Sequence, residues 1–292
     1  MPSQKLFQRP IARRELWLLV AVLVLDSSGC DSKLKKSVEQ AKRHADLAAQ
    51  AVQTDVDEIR KGLPEGAKQL ALLYQRNVLP QDDLPSVREA LERARNKVQD
   101  LRVAKSTFFA LADDKGTILR NDQEQDSMAG KSLLGPFPEL KKAIAGSYAE
   151  THGSMAEAVA VRGRPDGQWV AAQPIAVAGT VRGVYVTGWS WSAYAYRLEN
   201  AVRTAVRSEV GPAGKEPLVY VYVLVDGQAH GAPISPEVNA KAISDLQPLA
   251  KITGDAPFTA ELEITGRSFG LAVRKTPMLG PGTGVAVLRS ET

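Results

Sequence analysis

The chain has 292 residues, 44% of them hydrophobic and 24% charged, with a formal net charge of +4 and a single cysteine. One cysteine excludes an internal disulfide framework, and the near-balance of Lys and Arg against Asp and Glu gives no basic face for nucleic acid. The length accommodates one large or two smaller domains, and the low aromatic content of 6% implies a core of small and branched side chains.

Lys5, Arg9, Arg13 and Arg14 precede an apolar run from Leu16 to Leu25, followed by Asp26-Ser27-Ser28-Gly29-Cys30. This order of charged, apolar and small residues is that of a secretory signal. The apolar run is too short for a spanning helix, which needs about 20 residues. Ser27-Ser28-Gly29-Cys30 resembles the lipobox of bacterial lipoproteins, although Ser27 stands where Leu is usual. The resemblance implies cleavage after residue 29 and acylation of Cys30, with membrane lipid as the first partner. Asp31 resembles the signal that keeps many lipoproteins at the inner membrane, so the expected location is the periplasmic face of that membrane.

Leu34, Val38, Ala41, Ala45, Ala48, Val52, Val56, Ile59 and Leu63 recur at steps of three and four, which predicts a helix over 32–62 packed along another helix. Gly62, Pro64 and Gly66 are read as interrupting it, with a short helical piece at 67–77. Ser86-x-x-Glu89 has capping-box spacing before a second periodic run from Val87 to Leu101. Residues 30–106 are therefore expected to form a helical stalk.

From 107 the period changes to that of strands. Strands are predicted at 107–112 and 117–119 around the turn Asp113-Asp114-Lys115-Gly116, then a short helix ending at Gly146. Three more strands follow at 156–162, 168–176 and 181–191, with turns at 164–167 and 178–180. A helix at about 192–209 leads to a strand at 218–225, a helix at 235–250 and strands at 258–264, 267–275 and 284–289. Gly179-x-x-x-Gly183-Val184-x-Val186 and Gly280-x-x-x-Gly284-Val285-x-Val287 share one pattern. Two copies of one supersecondary order argue for two related α+β units.

These features resemble the double Cache (PAS-like) extracytoplasmic sensor modules of bacterial chemoreceptors and histidine kinases. The stretch from Phe109 to Leu119 resembles the family's first hairpin. Gly130-Lys131-Ser-Leu, Phe137-Pro-Glu-Leu with Ala143 to Gly146, and Gln173-Pro-Ile with Gly183 to Trp189 resemble later parts of the unit. The resemblance implies an α+β fold with a long N-terminal helical stalk and two PAS/Cache-like antiparallel-sheet units. The implied division is 1–29 signal peptide, 30–106 stalk, 107–191 distal unit, 192–214 linker helix and 215–292 proximal unit. The family's amino-acid-binding set of Tyr, Arg, Trp-Tyr and Asp finds no counterpart here, so no ligand class is inherited. Family members continue into a second span and an output domain. This chain stops at Thr292, so it is expected to act through a partner membrane signalling protein.

Strand alternation puts Trp169 and Gln173 on one face of their strand and Tyr185 and Trp189 on one face of the next, with Val184 and Val186 opposite. If the valine face packs on the long helix, the aromatic face lines a small-molecule pocket, closed by Tyr148 and His152 from the loop before the third strand. The competing reading is that these aromatics are plain core. His44, His152 and His230 lack metal-ligand spacing, no cofactor motif is present, and no reacting constellation indicates an enzyme. The leading expectation is a lipid-anchored sensor that binds a small molecule; the alternative is an envelope interaction lipoprotein with a degenerate sensor fold and no ligand.

Overall fold

A computed structural model describes residues 16–76, 78–159 and 166–291, with side chains from Ser32 onward. Residues 1–15 lie outside it. The backbone of the apolar run and of Cys30 belongs to the first helix, while the Cys30 side chain lies outside the described residues.

Helix α1 (Leu16–Ala71) is the spine of the molecule. Its stripe from Ala41 through Ala45, Ala48, Val52, Val56 and Ile59 to Leu63 is fully buried. The helix runs through Gly62, Pro64 and Gly66 without the expected interruption. Both glycines are sites of close approach rather than stop signals. A Cβ on Gly62 would lie 2.6 Å from the Leu101 side chain, and one on Gly66 would lie 2.5 Å from the Tyr185 ring. Tertiary packing has overridden local helix propensity, as it commonly does.

Helix α2 (Leu84–Lys97) and the short α3 (Gln99–Val103) pack back on α1. The N-cap is Asp83, whose carboxylate accepts the Ser86 N–H at 3.3 Å, so Ser86 lies inside the first turn and the predicted capping box is displaced. The first sheet contains β1 (Phe108–Asp113), β2 (Ile118–Asn121), β3 (Ala149–Gly153), β4 (Gln168–Val177) and β5 (Thr180–Ser190), in the order β2-β1-β5-β4-β3. The β1–β2 turn forms as predicted: Asp113 Oδ1 accepts the N–H groups of Lys115 and Thr117 at 2.9 and 2.7 Å. A single-turn helix α4 (Lys141–Ile144) follows.

The strand expected at 156–162 is not one in its described part. Residues 156–158 form a 3-10 turn, residues 160–165 lie outside the described residues, and the pairing strand is β3. Alternating small and polar residues in β3 leave only Ala149 buried, which conceals it as a strand in sequence.

Helix α5 (Trp191–Val210), capped by the Ser190 hydroxyl, leads into the second sheet. That sheet contains β6 (Leu218–Val225), β7 (Gln228–Gly231), β8 (Phe258–Ile264), β9 (Arg267–Lys275) and β10 (Thr283–Ser290), in the order β7-β6-β10-β9-β8. This repeats the topology of the first sheet strand for strand. Strand β7, four residues long, is absent from the sequence reading. The single helix expected at 235–250 is two, α6 (Glu237–Asp245) and α7 (Pro248–Lys251), parted by Gln247 at a φ of 47°. Glu261 and Glu263 alternate along the edge strand β8 and are exposed.

The shared eight-residue motif is not the structural equivalence between the units. Val184 and Val186 face away from α1, whereas Val285 and Val287 face it. A one-residue slip in a strand exchanges its two faces, so the two matching strings sit one position out of phase.

One continuous core runs along α1 and joins the helix-facing sides of both sheets, from Phe109, Trp169 and Trp189 to Val221, Val223 and Val285. The outer faces have their own cores, built around Phe137, Leu140 and Val184 in the first unit and Leu224, Phe269 and Leu288 in the second. At Gly270 the α1 backbone touches the second sheet directly: a Cβ there would lie 2.3 Å from Val38 N.

Candidate functional site

The six sequence-predicted residues share one face of the first sheet. Cross-strand register sets His152 beside Trp169 and Trp169 beside Trp189, with Gln173 beside Tyr185 two rows further on, past Ala171 and Thr187. That face, not the valine face, packs on α1. Trp169, Tyr185 and Trp189 have no exposed surface. Trp169 stacks on Trp189 at 4.4 Å, Trp189 on Tyr194 of α5 at 4.4 Å, and Tyr185 on Phe109 at 5.8 Å. The valine face is closed from the other side by Met128, Leu133, Phe137 and Leu140.

Tyr148 and His152 lie at the sheet edge, half-buried, with His152 inside β3 rather than on a loop. Tyr148 Oη donates to Glu150, and Glu150 accepts two hydrogen bonds from Arg60 of α1 at 2.8 and 2.9 Å. The His152 ring lies 6.4 Å from Trp191 and beside Gly280 of the second unit. These residues clasp the first sheet to α1 and to its neighbour.

An open groove of about 820 Å3 lies at the base of the first sheet, where β1 begins, β2 ends and α5 starts. It falls within the ~300–1,000 Å3 of small-molecule sites. Arg95 of α2, Ser106, Asn121, Gln123 and the α5 residues Tyr196 and Arg197 contribute to its walls. Arg95 lies 5.0 Å over the Phe109 ring and donates to Asp122 at 2.8 Å. Burial raises the Asp122 carboxyl above its ordinary range, against the pull of the Phe109 N–H and of Arg95.

Arg197 differs from Arg95 in having no hydrogen bond or ion pair among the described residues. It is half-buried, and burial followed by the charge of Arg95 holds its pKa below the ordinary value, with Asp55 and Tyr194 opposing. The Ser106 hydroxyl, on a residue 2% exposed, also has no partner. A partly desolvated cation beside a second cation is a site for an anion.

The groove is wired to the rest of the molecule through α5. Tyr194 Oη donates to Asp55 of α1 at 2.8 Å, and burial raises the Asp55 carboxyl. Glu199 accepts the Val221 N–H of β6 at 3.2 Å and pairs with Arg203 at 2.9 Å. Sequence reading missed Arg95 and Arg197 because each sits on the polar side of an amphipathic helix, where arginine is ordinarily solvated. Among the described residues no group of three His, Cys, Asp or Glu is placed to hold a metal, and no helix is long and apolar enough to cross a membrane.

No protein-family model matches the chain, and no curated protein matches it. Solved structures do. A domain of a Vibrio parahaemolyticus protein assigned to the sensory box/GGDEF family has a TM-score of 0.53 at 13% identity, covering 89% of this chain and 98% of that one. The ligand-binding domain of the Pseudomonas aeruginosa PAO1 amino acid chemoreceptor PctB, in complex with L-Arg, has a TM-score of 0.51 at 16% identity, covering 86% and 93%. Its complex with L-Gln gives 0.50 at 18% identity, covering 86% and 90%. The fold is that of Cache-like extracellular sensor domains: a long N-terminal helix followed by two five-stranded antiparallel sheets.

Proposed function

We propose that the chain is a lipid-anchored, extracytoplasmic sensor that binds a small carboxylate-bearing molecule in the groove and acts through a partner membrane protein. The observation that carries this reading is Arg197, a half-buried guanidinium with no hydrogen bond or ion pair among the described residues, in a cavity of ligand size. The fold, shared with sensor domains, supports it. The proposal moves the ligand from the aromatic set of Trp169, Gln173, Tyr185 and Trp189, closed by Tyr148 and His152, to the groove. A ligand bridging Arg197 and Ser106 would pull on α5 and, through Tyr194 and Asp55, on α1.

The test is thermal unfolding of the full-length protein against a panel of amino acids and small mono- and dicarboxylates, since a ligand of the folded state raises the midpoint. At least one is expected to raise it, and Arg197→Ala should weaken that ligand about 30-fold or more, the loss of one charge-assisted contact of about 2 kcal/mol. The ligand-free midpoint should hardly change, because Arg197 has no hydrogen bond or ion pair to lose among the described residues. No shift across the panel would defeat the carboxylate reading.

A second reading, an envelope interaction lipoprotein without a ligand, is favoured by one observation: both faces of the first sheet are filled by side chains. It predicts that no small molecule moves the midpoint.

The anchor and the division at 1–29, 30–106, 107–191, 192–214 and 215–292 belong to the same proposal. Two acyl chains on Cys30 would make attachment stable, where one gives only marginal binding. A Cys30→Ser variant is expected to fold and to leave the membrane fraction, or to retain its leader. Firm attachment of a processed variant would show that another feature anchors the chain.

A further inference from the structure

Asn121 ends β2 in the wall of the groove and is 1% exposed. Its Oδ1 accepts the Gln123 N–H at 2.9 Å, and its own backbone N–H donates to Asp126 Oδ1 at 3.1 Å. The first of these bonds fixes the amide. With Oδ1 turned onto its own chain, Nδ2 is the free end, and an amide nitrogen can only donate. Nδ2 has no hydrogen bond among the described residues. Ser106, in the same wall and 2% exposed, has a bare hydroxyl.

The groove therefore gathers donors. Arg95 and Arg197 bring two positive charges and Asn121 brings an N–H, while the Ser106 hydroxyl can serve either way without offsetting the charge. The carboxylates nearby are already engaged or lie in solvent. Asp122 accepts from the Phe109 N–H and from Arg95, both at 2.8 Å. Asp126 takes the Asn121 N–H and lies 3.8 Å from Arg120. Glu157 pairs with Lys131 at 3.3 Å, and Glu124, the other carboxylate of the wall, is exposed. A ligand group with its own positive charge would meet like charge here and find no buried counter-ion, which is costly. An uncharged oxygen would pair with Asn121 Nδ2.

We propose that the groove selects 2-oxo and 2-hydroxy acids over the matching 2-amino acids, and that Asn121 is the residue that makes the distinction. The carboxylate lies against Arg197, and the oxygen on the neighbouring carbon accepts from Asn121 Nδ2. The inference rests on the carboxylate reading of the groove and narrows it. A site built to donate to an oxygen rejects the analogue that offers no acceptor in its place, because the buried donor is then left bare. An ammonium group adds repulsion by Arg95 and Arg197 to that loss.

The test is thermal unfolding of the full-length protein with two matched sets: pyruvate, L-lactate and L-alanine; and 2-oxoglutarate, L-2-hydroxyglutarate and L-glutamate. In at least one set the oxo or hydroxy acid is expected to raise the wild-type midpoint at a concentration lower than the amino acid needs, by about tenfold or more. This comparison needs no variant. Asn121→Asp keeps an acceptor for the Gln123 N–H and puts a second acceptor where the donor was, so it should erase the preference. Asn121→Ser removes the donor without adding charge and should reduce it. If in each set the amino acid acts within tenfold of its counterparts or below them, the selection is overturned and the carboxylate reading stands. The same follows if neither set acts while another carboxylate does. No shift from any carboxylate defeats both. A preference that survives both substitutions removes Asn121 from it.

Discussion

Trp169→Ala is expected to lower the unfolding free energy by about 3–5 kcal/mol, the range for deleting a buried large aromatic. Trp169 is fully buried, sits in the core shared with α1, and stacks on Trp189, which stacks on Tyr194 of α5. Removing it opens a cavity beneath the helix and breaks a three-ring stack whose contacts are worth about 0.5–1.5 kcal/mol per pair beyond burial. Denaturant unfolding of the variant measures this. The loss should appear with or without ligand, which separates a core residue from a ligand contact. A loss below about 1 kcal/mol, accompanied by loss of ligand response, would return Trp169 to a binding role.

The second large effect is expected at Arg289, which is 2% exposed at the end of β10. It pairs with Glu291 at 2.9 Å and with Glu209 of α5 at 3.9 Å, and donates to His44 Nδ1 of α1 at 3.3 Å. Arg289→Ala leaves two carboxylates and a buried imidazole without their common partner. Breaking a fully buried pair costs about 3–5 kcal/mol; Glu209 is 34% exposed and can hydrate, so a loss of about 2–3 kcal/mol is expected in denaturant unfolding.

The same cluster makes His44 a source of pH dependence. Its Nδ1 accepts from Arg289 while Nε2 faces Glu209 at 3.4 Å, an arrangement that requires the neutral ring. Burial, then Arg289, lowers its pKa below 6.5; Glu209 opposes and Arg43 adds to the lowering. As pH falls below about 6.5 the unfolded chain binds a proton on this residue before the folded chain does, so stability falls with pH in that window and is flat above it. Buried Asp55, Asp122 and Glu199 act in the opposite sense. Their folded pKa values are raised, so their contribution is lost as pH rises through them. The readout is therefore a signed difference: on acidification from about pH 6.5 to 5, His44→Gln should lose less stability than wild type. Parallel profiles would exclude His44 as the titrating group.

Alternation of side chains was enough to place Trp169 and Gln173 on one face of their strand and Tyr185 and Trp189 on one face of the next; His152, expected on a loop, joins them from β3. It could not say which face α1 covers, because the other face is equally apolar, with Ala110, Val170, Val184 and Val186 fully buried. A strand buried on both sides carries no amphipathic sign of direction. The groove was illegible for a different reason. Arg95 and Arg197 are far apart in the chain, and each occupies a position where a solvated arginine is the ordinary expectation. The repeat was legible as order of elements and misleading as a motif, since matching letters tolerate a one-residue slip that side-chain direction does not.

The continuous contact of α1 with both sheets gives the helix a phase as well as a position. Each added residue turns the preceding part of a helix by about 100°. One residue inserted between Val52 and Val56 would leave Ile59 and Leu63 seated on the first sheet. It would rotate Ala41, Ala45 and Ala48 off their present line, with Val38 no longer opposite the bare backbone of Gly270. A rotation of α1 at either end is thus a common variable of the two units, and a change in how one sheet grips the helix is registered by the other as a change in angle.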